Sequence, residues 1–178
     1  MRPVFLLLMI LLATPAAATV YVPVDFREMV TSSQAIVHGR IVDVRSEPTR
    51  DRMMVVTYVT LDVDEHLKGS FGDHVTFLVP GGLVGRYRRI IVGAPQFERG
   101  DEVVVFLSAR GPSIPYLFGL SQGVYRVVRQ ADGGAVVTPP AVRARGVAAE
   151  RLVRGDPARR PLPLASFTRE VRTIVEGR

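Results

Sequence analysis

Apolar and polar positions change their period along this chain, and each change marks a new element. Phe26, Met29 and Val30 fall at helical spacing. Asp25 stands where an N-cap belongs, with Glu28 three residues on. Polar Thr31 to Gln34 ends this short helix. From Ala35 the period becomes two. The first strand covers residues 35–46, but its apolar parity flips: Val37 and Ile41 are odd, Val42 and Val44 even. Gly39 sits near the flip, so a bulge is predicted there, in a strand that bends to serve two parts of a curled sheet. The second strand alternates cleanly, Val55, Thr57, Val59, Leu61 and Val63 against Val56, Tyr58, Thr60, Asp62 and Asp64.

Two later strands share a Gly-Asp entry turn, at Gly72-Asp73 and Gly100-Asp101. Residues 103–107 are apolar on both faces, which predicts a central or helix-covered strand. Between these strands lies an excursion, residues 80–97, with Gly81-Gly82, a basic Arg86-Tyr87-Arg88-Arg89 and a small strand at Ile90-Ile91-Val92. A further strand pair is expected at 116–128 and 134–138. Residues 139–163 hold five prolines and six arginines with little periodicity, the composition of a linker. Phe167, Val171, Ile174 and Val175 then outline a C-terminal amphipathic helix stopped by Gly177, expected to dock on its own domain. The pattern predicts a mainly β protein: a small antiparallel OB-like barrel with a short N-terminal helix and a C-terminal helix. A β-sandwich is the alternative.

The start of the chain adds a location. A basic Met1-Arg2-Pro3, an apolar run from Val4 to Ala13 and the small residues Ala16-Ala17-Ala18 have the order of a secretory signal peptide. The expected division is a signal peptide (1–18), a barrel-like domain (19–138), the linker (139–163) and the C-terminal helix (164–178). The expected location is periplasmic or extracellular in a bacterium, with no membrane span after cleavage. The chain has no cysteine, which excludes a disulfide scaffold, a thiolate metal site, a cysteine nucleophile and a lipid-modified N-terminal cysteine. Lys68 is the only lysine beside 22 arginines, and the net charge is +6. Arginine suits bidentate contacts with carboxylates and phosphates, so an acidic protein or an anionic envelope polymer is a suitable partner. Export argues against nucleic acid. The spread of arginines along the chain also fits plain codon usage.

The strings DFREMVTSSQAIVHGRIVDV, HLKG, GAPQFERGDEVVVFL and GLSQGVYRV, within residues 25–128, resemble a group of uncharacterised exported bacterial proteins. No chemistry is attached to that group; its members occur near secreted metalloproteases, which implies an inhibitor or escort of a protease. The strand AIVHGRIVDV, followed by a long strand ending in LKG, is also similar to netrin-type OB barrels, the class of the tissue inhibitors of metalloproteinases. Their inhibitory wedge needs an N-terminal cysteine and disulfides. This chain has neither, so no inhibitory residue carries over.

Candidate chemistry is sparse. Gly119-Leu120-Ser121-Gln122-Gly123 matches the G-x-S-x-G of nucleophile elbows, but a strand-like segment follows and no histidine comes after His74. Two glycines around a β-bend explain it equally, and a small hydrolase using Ser121 is the competing class. His38, His66 and His74 lack close metal-ligand spacing, and Asp62 with Asp64 offers only a loose cation site or a solvated face. Arg99-Gly100-Asp101 and Arg154-Gly155-Asp156 spell an adhesion tripeptide, the first better explained as a turn into a strand. The surface candidate is Arg86, Tyr87, Arg88 and Arg89, where charge meets a stacking ring in a loop; an ordinary solvated loop is its plain reading. Arg126 and Gln122 are possible extensions of that patch. The expectation is therefore a non-catalytic binding module, with no cofactor and no metal.

Overall fold

The computed structural model describes residues 23–51, 53–109, 113–140, 143–144, 151–152 and 159–177. The signal-peptide reading of residues 1–18 lies outside them. Helix α1 (Phe26–Ser32) is followed by β1 (Ala35–Pro48), β2 (Val55–Lys68) and β3 (His74–Pro80). A hairpin, β4 (Gly82–Val84) and β5 (Tyr87–Arg89), precedes β6 (Glu102–Ser108) and β7 (Tyr116–Leu117). A 3-10 turn (Leu120–Gly123) leads into β8 (Val124–Arg129) and β9 (Ala135–Thr138). The short pairs β10 (Arg143–Ala144) with β11 (Arg151–Leu152), and β12 (Leu162–Pro163) with β9, precede helix α2 (Leu164–Val175).

Strand order runs β1-β2-β3-β7-β6-β8-β9-β12, and β1 also pairs with β6. The ring β1-β2-β3-β7-β6-β1 is the five-stranded, partly closed barrel of the OB-like class. It is a mixed sheet rather than a purely antiparallel one, because β3 meets β7 in parallel through Leu78 and Tyr116. Strands β8, β9 and β12 continue outward from β6 as a second wing. No helix among the described residues is long and apolar enough to cross a membrane.

Bulges in β1 make the ring possible. Its register against β2 shifts at His38/Gly39 and again between Ile41 and Asp43. A Cβ on Gly39 would lie 2.1 Å from the Asp62 carbonyl oxygen, so only glycine allows this approach. β1 therefore pairs with β6 from Ala35 to Arg40, then leaves it and continues beside β2 alone.

The two-sided strand β6 divides the molecule into two cores. Val103, Val105 and Leu107 point into the barrel with Val37, Leu61 and Phe77. Val104 and Phe106 point the other way, against Tyr125 of β8 and Phe26, Met29, Phe167 and Val171 of the helix layer. Asp25 caps α1, its carboxylate accepting from the amides of Arg27 (2.8 Å) and Glu28 (3.2 Å). Lys68 donates to the Val30 and Thr31 carbonyls, both at 2.8 Å, and closes the C-terminal end of the same helix. Helix α2 buries Phe167, Val171 and Ile174 on this layer, while Val175 stays 40% exposed.

Two local expectations need correction. The expected strand at 116–128 is broken by the 3-10 turn, which moves the chain from the barrel (β7) to the wing (β8). The small strand of the excursion lies at Gly82–Val84 and Tyr87–Arg89, not at Ile90–Val92. The cause is a two-residue turn at Gly85 (φ 57°) and Arg86, which pairs the residues before and after it. Much of 139–163, read as a linker, lies outside the described residues, and its end joins the sheet as β12.

Candidate functional site

Where β1 parts from β6, one end of the barrel lacks a wall. Val44 and Ser46 of β1 pair with Val59 and Thr57 of β2, positions whose neighbours face the barrel interior. The excursion between β3 and β6 covers this opening. Gly82 (φ 142°) lies so close that a Cβ there would be 2.3 Å from Ser46 Oγ and 2.4 Å from Thr57 Oγ1. Those hydroxyls share a 2.8 Å hydrogen bond, Thr57 donates to the Gly81 carbonyl at 2.7 Å, and Ser46 accepts from the Leu83 amide at 3.3 Å. The root of the hairpin is thus clamped to the barrel by two small polar side chains and one glycine.

Beyond the root, the covering is incomplete. A cleft of about 260 Å³ remains between hairpin and barrel, with Val44, Val79, Leu83, Ile90 and Phe97 among its lining. Phe97 is buried edge-on against Phe77 at 5.5 Å and forms part of the floor. Leu83, Tyr87, Ile90 and Val92 are 55%, 61%, 74% and 61% exposed, four large apolar side chains within ten residues. Arg88 stands across the hairpin from Leu83, Arg89 across from Gly82, and both line the cleft. Arg86 sits in the turn, beside Tyr87. None of these three arginines forms an ion pair among the described residues. Glu98 lies on the wall of the cleft, the one acidic side chain of its lining among the described residues.

Of the two extensions of the patch, Arg126 borders the cleft through Gln96 and Phe97, and Gln122 is turned inward. Arg126 Nη1 binds Asp101 at 2.7 Å and its Nη2 the Gln96 carbonyl at 2.6 Å, which ties the outer end of the excursion to the wing. Gln122 is buried and accepts from the Val24 amide at 2.8 Å. Arg99-Gly100-Asp101 forms the turn into β6, with the Gly100 amide donating to the Ile41 carbonyl at 2.7 Å. The second tripeptide, at 154–156, lies outside the described residues.

Ser121 lies in the 3-10 turn, and its amide donates to the Gly93 carbonyl at 3.1 Å. Among the described residues no histidine or carboxylate bonds its hydroxyl. Gly123 is demanded by packing, since a Cβ would lie 2.3 Å from the Phe118 carbonyl oxygen. The three histidines stand apart: His66 Nε2 faces the Gly72 carbonyl at 3.1 Å, His74 pairs with Asp62 at 3.3 Å, and His38 meets Glu102 at 3.0 Å.

Sequence reasoning missed the cluster around Glu102. Its carboxylate, 4% exposed, receives Arg129 on both oxygens (2.6 and 2.9 Å), Arg40 at 3.2 Å and His38 at 3.0 Å. Asp64 lies 4.0 Å from the same His38 nitrogen. His38, Asp64 and Glu102 have the donor types of a metal site within 4.8 Å, but two guanidiniums already occupy the Glu102 oxygens. Burial pushes the Glu102 carboxyl up, and the hydrogen bonds and charges of Arg129 and His38 outweigh it, holding the group below its ordinary range. The β1–β6 pairing that closes the ring brings His38, Arg40 and Asp64 to Glu102, and Arg129 joins them from β8 of the wing. The arrangement is an ion-pair knot across the outer face of the barrel.

No protein-family model, curated protein or solved structure matches this chain.

Proposed function

We propose that this chain is an exported, non-catalytic interaction module whose contact surface is the β4–β5 hairpin with the cleft beneath it, and whose partner is another exported protein. The observation that carries this reading is the coincidence of unpaired charge and exposed apolar surface. Arg86, Arg88 and Arg89 lack carboxylate partners among the described residues, whereas seven arginines elsewhere have one. Beside them lie Leu83, Tyr87, Ile90 and Val92, and interface centres draw on such arginines and aromatic or aliphatic anchors. The barrel behind them is closed by main-chain ladders, a rigid support for a contact loop. Export rests on the basic start, the apolar run and Ala16–Ala18. Among the described residues no histidine or carboxylate bonds the Ser121 hydroxyl, which supports a role without catalysis.

The test uses the mature chain from Thr19, immobilised and exposed to the exported proteins of its own organism. The expected result is one protein retained at high salt in near-stoichiometric amount, and lost when Arg86, Arg88 and Arg89 are replaced by alanine. A protease in that position would give the module an inhibitory or escort role. Equal capture by the substituted chain would overturn the proposed surface. Retention of only salt-labile polyanions would point to an envelope polymer instead. Hydrolytic activity abolished by Ser121→Ala would overturn the non-catalytic reading.

A further inference from the structure

We infer that the cleft takes an extended acidic segment of the partner, with one apolar side chain seated between hairpin and barrel and carboxylates on either side of it. This rests on the reading of the hairpin as the contact surface and names the chemistry that surface selects. Size is the first argument. A cleft of about 260 Å³ lies at the lower edge of the size range of ligand pockets and has room for a large side chain of a partner.

Charge is the second argument. Arg88 and Arg89 line the cleft and Arg86 follows at the turn, against one acid, Glu98. A guanidinium fork matches a carboxylate in two parallel hydrogen bonds, so carboxylates beside the seated residue satisfy donors that no described residue satisfies. The apolar lining decides between protein and polymer. Val44, Val79, Leu83, Ile90 and Phe97 would have nothing to bury in a phosphate or sulfate chain, whereas a peptide supplies both an apolar group and acids.

Backbone geometry is the third argument. β5 pairs with β4 and with no other strand among the described residues, so its second edge is open. An added strand there gains main-chain hydrogen bonds, and its alternate side chains point to opposite faces. One set then lies on the side of Leu83 and Arg88, and the other on the side of Tyr87 and Arg89.

The test pans short random peptides displayed on phage against the mature chain. Counter-selection uses two variants confirmed as folded by circular dichroism, Arg86→Ala/Arg88→Ala/Arg89→Ala and Ile90→Asp. The expected outcome is enrichment of sequences with one large apolar residue flanked by Asp or Glu. In fluorescence anisotropy the enriched peptide should bind each variant at least about tenfold more weakly, and polyphosphate should not displace it from the parent chain. Enriched sequences that need the hairpin but lack acids would overturn this inference and leave the contact surface standing. Sequences bound equally by both variants would overturn the two together. Displacement by polyphosphate at matched charge would replace the peptide with a polyanion, and failure to enrich any sequence would also overturn the inference.

Discussion

Two parts of this barrel are covered by added elements, and the covers differ in how completely they finish the job. Over the outer face of β6 and β8, helices α1 and α2 bring Phe26, Phe106, Tyr125 and Phe167 together, with ring centroids 5.0–6.0 Å apart. Two arginines on that side are used internally. The Arg159 guanidinium lies 3.7 Å above Phe26 and pairs with Glu170 at 2.6 Å, and Arg172 reaches Glu65 of β2. Over the open end, the hairpin is anchored at its root by Ser46 and Thr57 but leaves Leu83, Tyr87 and Ile90 in water. Its arginines stay unpaired among the described residues. The same residue types therefore stabilise the fold in one place and remain available in the other. What separates them is whether a second element arrives to bury the apolar groups and neutralise the charge.

The largest effect should come from cutting the finished side. Phe167 is 1% exposed and packs against two aromatic rings, Phe26 and Tyr125. Phe167→Ala should cost about 3–5 kcal/mol, from lost burial plus the cavity it leaves. Ile90→Ala, at 74% exposure, should change stability by no more than ~0.5 kcal/mol. Urea unfolding midpoints measured side by side check both, and equal losses would erase the distinction between the covers. Gly39→Ala comes next. Its Cβ would collide with backbone at 2.1 Å, where no side chain can swing aside, and the bulge lets β1 serve both β2 and β6. A loss of about 2–3 kcal/mol is expected, read by the same unfolding curves.

The Glu102 knot gives a smaller, pH-dependent effect. Its carboxyl is held below its ordinary range when folded, so the unfolded chain binds the proton more readily. The stabilisation is complete at pH above the ordinary carboxylate range and is lost as pH falls through the lowered folded value. Arg40 and Arg129 are 51% and 56% exposed, and water screens their share. Glu102→Gln should therefore cost about 2 kcal/mol at neutral pH. Its Tm should then fall less on acidification than that of the parent chain. Parallel Tm curves for the two chains would show that the knot contributes nothing.

Much of the finished side is legible in the sequence, because periodicity encodes burial. The parity flip at Gly39 marks the bulge, the two-sided apolar run at 103–107 marks the shared strand, and Phe167, Val171 and Ile174 mark the docked helix. The open end is less legible for the same reason. Ile90, Ile91 and Val92 have the composition of a buried strand, yet Ile90 and Val92 are exposed and the strands lie just before them. Apolarity there is left on the surface, which periodicity cannot distinguish from core. Glu102 escapes notice because its partners sit far away in sequence, at residues 38, 40 and 129. The Arg-Tyr-Arg-Arg run is visible at once, but that its arginines form no ion pair among the described residues is a property of the folded surface alone.

The smallest expected change in stability is the most informative. Replacing Arg86, Arg88 and Arg89 together by alanine removes three charges that form no ion pair among the described residues. They stand close together on one hairpin of a chain with net charge +6, so their removal relieves mutual repulsion. The urea midpoint should therefore stay within ~0.5 kcal/mol of the parent value or rise slightly. The same substitution at the helix-covered side, Arg159→Ala, strips a guanidinium from the faces of Phe26 and Phe167 and leaves Glu170 unpaired. It should cost about 1–2 kcal/mol. If the triple hairpin variant proved the less stable of the two, its arginines would be structural. The contrast between a finished cover and an available one would then fail where it matters most, at the surface assigned to the partner.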